Sequence, residues 1–178
     1  MRLFVGVPLS AAVITELAAI TARLRSGNDE LRWSAPASWH ITLQFLGNTD
    51  QEQYECVVAQ LRRLRLSAVP IRLEELGFFD RSGVFFAGVR MTPELLLLQQ
   101  RVTAATQLCG FVPEARLFQP HITLARSKGK GIRELTAQVP QHPSFTRSVA
   151  KEFLLYESFL SPSGSRYQVR ERFPLNNP

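Results

Sequence analysis

The sequence predicts an α+β fold of two similar lobes sharing one functional groove. Three observations point there. The tetrapeptide HITL occurs twice, as "SWHITLQFL" around His40 and "QPHITLARS" around His121, in a chain with only three histidines. A strand–helix–strand order is repeated along the chain. The spacing is nearly equal too, with 36 positions from Phe4 in "FVGV" to His40 and 35 from Phe86 in "FAGV" to His121. Such a repeat predicts two lobes about a pseudo-twofold axis, with corresponding strands facing each other.

The elements follow in order. "RLFVGVPL" is a buried strand, and from Ser10 a helix carries Val13, Leu17, Ile20 and Leu24 on one stripe. "SWHITLQFLG" is a strand ended by Gly47. A second helix starts at Thr49-Asp50, with Tyr54, Val57, Val58, Leu61 and Leu64 on its apolar face. "IRLEELGFF" and "GVFFAGVR" pair around the turn Asp80-Arg81-Ser82-Gly83. Thr92 caps a third helix with Pro93 at its first position, running to Gly110. "PHITLAR" is the second motif strand, and Val149–Leu160 and Arg166–Phe173 are strands joined by "SPSGS".

Composition narrows the class. The 178 residues, 45% hydrophobic and 20% charged, suit one globular domain over 1–178. A net charge of +6 and a pI near 10 favour an anionic partner such as RNA or a nucleotide. The short clusters Arg62-Arg63-Arg65 and Lys128-Lys130-Arg133 are expected to be solvated faces. Cys56 and Cys109 stand alone in amphipathic helical patterns, which predicts buried reduced thiols. The three aspartates are too few for a two-metal phosphatase, so neither metal nor cofactor is expected. Near the N-terminus, Pro8, Ser10 and Glu16 interrupt the apolar run, so a short strand, a turn and an amphipathic helix are expected there rather than a signal peptide. With no apolar stretch long enough to span a membrane, a cytoplasmic monomer that binds no membrane is expected.

Alternation on a strand places His40 and Thr42 on one face, and likewise His121 and Thr123, each pair about 7 Å apart along its ridge. Ile41, Leu43 and Phe45 fall on the core face, with Ile122 and Leu124. Two such ridges across a groove supply an acid and a base for in-line attack on a phosphodiester, together with hydroxyl donors for its oxygens. Histidine, with a reference pKa near 6.5, serves in either role near neutral pH. A His–His metal site lacks a third ligand. Gln44 has cleft parity. Arg126 has core parity and reaches the groove only if the strand ends or bulges. Phe4, Trp39, Phe118 and Tyr167 are candidates to stack a base. His142, in "QHPSF", is expected in a loop.

With "RLFVGV", "HITLQFLG", "PHITLAR" and the closing "LYESFLSPSGSRYQV" in place, the chain resembles the two-histidine phosphoesterases. Within them it resembles the LigT-like RNA 2′,3′-cyclic phosphodiesterases, also called 2′-5′ RNA ligases. The resemblance implies antiparallel sheets lining a central cleft with helices outside. It implies hydrolysis of 2′,3′-cyclic phosphate at RNA or nucleotide ends to a 2′-phosphate, with His40 as proton donor, His121 as proton acceptor, and Thr42, Thr123 and Arg126 on the phosphate. It also implies a related 2′-5′ ligation. Alternatives are a phosphodiesterase for small cyclic nucleotides or ADP-ribose cyclic phosphate, and a non-catalytic RNA-binding module.

Overall fold

The computed structural model describes residues 1–25, 31–127, 139–140, 143–161 and 164–176. His142 and the Lys128-Lys130-Arg133 cluster lie outside them. The first strand, β1 (Arg2–Pro8), leads into α1 (Ala11–Leu24), whose start is fixed by the Ser10 side chain accepting from the Val13 N–H. A short β2 (Leu31–Trp33) and a 3₁₀ turn (Pro36–Ser38) then precede β3 (His40–Asn48). Next comes α2 (Gln51–Leu61), opened by a capping box in which Asp50 and Gln53 satisfy each other's backbone N–H. The middle of the chain forms β4 (Val69–Ile71), β5 (Leu73–Phe79), β6 (Val84–Val89) and α3 (Pro93–Gln107). The remaining strands are β7 (His121–Ser127), β8 (Ser148–Ala150), β9 (Glu152–Ser161) and β10 (Gly164–Pro174).

Two four-stranded antiparallel sheets result, in the orders β10-β9-β1-β3 and β2-β7-β6-β5, beside a small β4-β8 pair. Each large sheet takes strands from both halves of the chain. Strand β2 crosses to pair with β7, while β9 and β10 complete the sheet of β1 and β3. Strand β2 was not expected, β4 overlaps the expected "IRLEELGFF" strand only at Ile71, and the expected strand Val149–Leu160 divides into β8 and β9, because these three-residue strands are defined by tertiary pairing rather than by alternation. One core collects inward residues of both sheets and all three helices, including Val5, Val13, Leu17, Ile41, Val57, Leu95, Leu98, Ile122 and Leu155.

Register shows how the two lobes correspond. Pro8 pairs with His40 in one, and Gly88 with His121 in the other. Gly6 is therefore the counterpart of Phe86, and the "FVGV" and "FAGV" quartets are offset by two residues. An even offset keeps side-chain parity, so Phe4 and Phe86 each still pack beside their lobe's histidine, at 4.6 and 5.8 Å between ring centroids. Gly6 itself admits no side chain, since a Cβ there would come within 2.9 Å of the Ile41 carbonyl oxygen.

The motif strands share a second device. Between Thr42 and Gln44 the ladder skips Leu43, and between Thr123 and Ala125 it skips Leu124. An unpaired residue of this kind shifts the side-chain phase. In β3, Leu43 and Gln44 are both buried and Phe45 turns outward at 57% exposure. In β7, Leu124 and Ala125 are both buried and Arg126 turns outward.

The cysteines depart from expectation. Cys56 on α2 and Cys109 just beyond α3 form a disulfide across a sequence separation of 53 residues. Cys56 is helical as expected, whereas α3 ends at Gln107, short of Cys109, and the packing of α2 against α3 that joins them is not visible in either segment. Replacing both cysteines by serine is expected to lower unfolding stability by roughly 2–4 kcal/mol. Denaturant titration checks this, and thiol titration of the unfolded, unreduced chain should find no free thiol.

Candidate active site

Strands β3 and β7 lie beside one another and bring both motifs to a single groove of about 300 Å³. His40, Thr42, His121 and Thr123 line it, with Phe45, Arg126, Trp33 and Tyr167 around them. Behind each histidine and threonine, Ile41, Leu43, Ile122 and Leu124 are buried and anchor the ridge to the core.

Both imidazoles are oriented in the same way. His40 Nδ1 lies 2.8 Å from the Ser38 carbonyl oxygen, and His121 Nδ1 lies 2.7 Å from that of Gln119. In each case the acceptor sits two residues before the histidine. A carbonyl only accepts, so Nδ1 carries the proton in both rings. In the neutral tautomer Nε2 then keeps its lone pair; for His40 it is 3.1 Å from Thr42 Oγ1. The turn Pro36–Ser38 places the Ser38 carbonyl, which explains why a 3₁₀ segment precedes this strand.

Aromatic rings enclose each imidazole. His40 meets Phe4, Tyr156 and Tyr167 at 4.6, 5.6 and 5.1 Å, and His121 meets Phe79 and Phe86 at 5.0 and 5.8 Å. Tyr156 and Phe79 hold equivalent places by register. Burial pushes the His40 pKa down to about 4, against the pull of the Ser38 carbonyl and with a smaller push from His121. His121 is lowered too, first by burial and, after the opposing Gln119 carbonyl, by the positive charge of Arg126. Both rings are therefore neutral at pH 7 in the free protein, and an anion in the groove would favour their protonated forms.

The remaining sequence-predicted residues divide. Tyr167, at 36% exposure, and Arg126 face the groove. Phe4 is 2% exposed and packs beneath His40, so its ring is not open to a base. Trp39 is 5% exposed and faces the core, with its indole N–H lacking a hydrogen-bond partner. Phe118 is partly buried against the core, away from the groove lining. Gln44 is buried by the phase shift in β3 and accepts a 2.7 Å hydrogen bond from Thr106 on α3. Phe45 was assigned to the core by strict alternation and instead lines the groove. No local sequence signal marks its bulge; only comparison with Arg126, the equivalent position of the other motif, could have exposed it.

Because unfolded His40 takes up a proton near its reference pKa of about 6.5 and the folded residue only near 4, stability falls as pH drops through that window. NMR titration should find the His40 ring titrating near pH 4 in the free protein and at higher pH when phosphate is bound. A free value near that of an exposed histidine would contradict the burial argument.

The family profile described as "LigT like Phosphoesterase" matches residues 7–86 and 89–167, one motif in each segment. An RNA 2′,3′-cyclic phosphodiesterase of Archaeoglobus fulgidus is 28% identical over 94% of this chain and 97% of its own length. Its namesake from Thermus thermophilus is 31% identical over 98% of this chain and 90% of its own. In three dimensions, the crystal structure of Escherichia coli LigT complexed with 3′-AMP superposes with a TM-score of 0.85 at 27% identity, covering 99% of this chain and 98% of that one. Two matched segments spanning most of the sequence, each carrying its H-x-T strand into the same groove, establish that this chain belongs to the LigT-like phosphoesterase family.

Proposed function

We propose that the protein hydrolyses the 2′,3′-cyclic phosphate of RNA ends to a 2′-phosphate, by metal-independent acid–base catalysis between its two histidines. The observation that carries this is the shared orientation of the imidazoles, each locked through Nδ1 by a carbonyl so that Nε2 is left for chemistry. The relatives named RNA 2′,3′-cyclic phosphodiesterase support the substrate class. The whole span 1–178 acts as one domain and as a monomer, since both sheets draw on both halves and one chain supplies the groove. The cytoplasmic setting expected for such an enzyme carries one condition: the Cys56–Cys109 bond must persist there, although disulfides are rare in reducing compartments.

In the proposed step, water attacks phosphorus opposite the 3′ oxygen and gives its proton to His121 Nε2. The P–O3′ bond breaks, and the 3′ oxygen takes a proton from His40 Nε2. Thr42, Thr123 and the Arg126 guanidinium hold the non-bridging oxygens. A 5′-hydroxyl in place of water yields a 2′-5′ bond by the same displacement. The resemblance to the two-histidine phosphoesterases supports this division of roles. In the free protein Arg126 adds to the cost of protonating His121, while burial is the main cost of protonating His40. A bound phosphate's negative charge favours the protonated form of either ring. A second reading, turnover of cyclic mononucleotides, is favoured by the groove's volume of about 300 Å³, at the small end of ligand sites.

Replacing His40 or His121 by alanine should lower kcat by roughly 10²–10⁴-fold while the far-UV spectrum and the unfolding midpoint stay near wild type. Near-normal turnover in a folded double variant would sink the proposal. Activity should be unchanged by EDTA. Since bound phosphate raises the His40 pKa, the alkaline limb of kcat should lie at higher pH than that of kcat/KM. Coincident limbs would contradict the proposed source of the acid's proton. Arg126→Ala should reduce kcat/KM by one to two orders of magnitude, about the loss of one charge-assisted contact.

A further inference from the structure

Arg32 stands directly opposite Arg126 across the β2–β7 ladder, and both are exposed on the groove. Like charges facing each other across antiparallel strands destabilise the pair. Neither guanidinium has a carboxylate partner among the described residues, although Arg62, Arg90, Arg116, Arg170 and Arg172 all do. The third arginine lining the groove, Arg166, adds charge of the same sign. Two devices hold the opposed pair in place. The bulge at Leu124 turns Arg126 outward, and the Ser34 N–H bond to the Leu124 carbonyl, at 2.8 Å, continues the short β2 ladder past that bulge. An arrangement that repels itself when empty is relieved by an anion lying between the two forks.

We infer that Arg32, with Arg126 standing between it and the reacting phosphate, forms a second anion subsite, which takes the phosphate on the 5′ oxygen of the terminal nucleoside, the linkage to the preceding nucleotide in RNA. This rests on the groove being a cyclic phosphodiesterase site. Arg126 sits three residues along β7 from Thr123, about 10 Å by strand rise and less across the bulge. Guanidinium stems on that ridge thus span from the reacting phosphate to its neighbour on the same nucleoside. In a groove of about 300 Å³, such a subsite would favour an RNA end over a cyclic nucleotide without a 5′ phosphate.

The test compares three substrates with wild type and Arg32→Gln: a nucleoside 2′,3′-cyclic phosphate, its 5′-phosphorylated form, and a dinucleotide ending in the cyclic phosphate. The variant should leave the first unchanged and lower kcat/KM for the other two roughly tenfold. Its salt dependence with the dinucleotide should also weaken by about one phosphate contact. Equal losses on all three, or none on any, would overturn the subsite. Loss confined to the 5′-phosphorylated mononucleotide would assign the pair to a free terminal phosphate and overturn the RNA linkage. If wild type turns over none of the three, the cyclic phosphodiesterase reading fails separately. Calorimetry with a nucleoside 2′-phosphate and its 2′,5′-bisphosphate then decides the subsite. Selective weakening of the bisphosphate by Arg32→Gln supports it, and equal binding by variant and wild type overturns it.

Discussion

Two backbone carbonyls, those of Ser38 and Gln119, set what this groove can do. Each accepts from the Nδ1 of the histidine two residues on, which fixes ring orientation and tautomer together. Without those bonds a half-buried imidazole could rotate, and neither ring would reliably offer Nε2. The sheet supports this arrangement. The residues between and behind the groove-facing side chains are deeply buried, so each ridge is tied to the common core rather than to a loop.

Symmetry supplies the inventory, and asymmetry sets the surroundings of the two rings. The two motif strands carry the same His–x–Thr, the same bulge after the threonine, and an aromatic ring against each imidazole. Past the bulge they differ. One presents Phe45 and the other Arg126, in equivalent positions. The Arg126 charge disfavours a protonated His121, and burial disfavours a protonated His40, so two chemically identical histidines sit in different surroundings.

Much of this was legible in the sequence, because the informative features are periodic. Alternation put His40 with Thr42 and His121 with Thr123, and the helical stripes and caps of α1, α2 and α3 follow from local chemistry. What was not legible depends on pairing. The bulges at Leu43 and Leu124 break alternation without any marking residue, and so Gln44 and Phe45 exchange the places their parity gave them. Trp39 and Phe118 are large aromatics beside the motifs, but the core claims them. The Cys56–Cys109 bond joins segments whose proximity depends on helix packing. The offset between "FVGV" and "FAGV" likewise appears only once strand register is known.

The central claim is an in-line displacement that expels the 3′ oxygen. It is tested most directly by incubating a short RNA ending in a 2′,3′-cyclic phosphate with the purified protein in ¹⁸O-labelled water containing EDTA. The account predicts a 2′-phosphate bearing one labelled oxygen and no 3′-phosphate. A 3′-phosphate product would contradict it, because His40 would then have protonated the wrong oxygen.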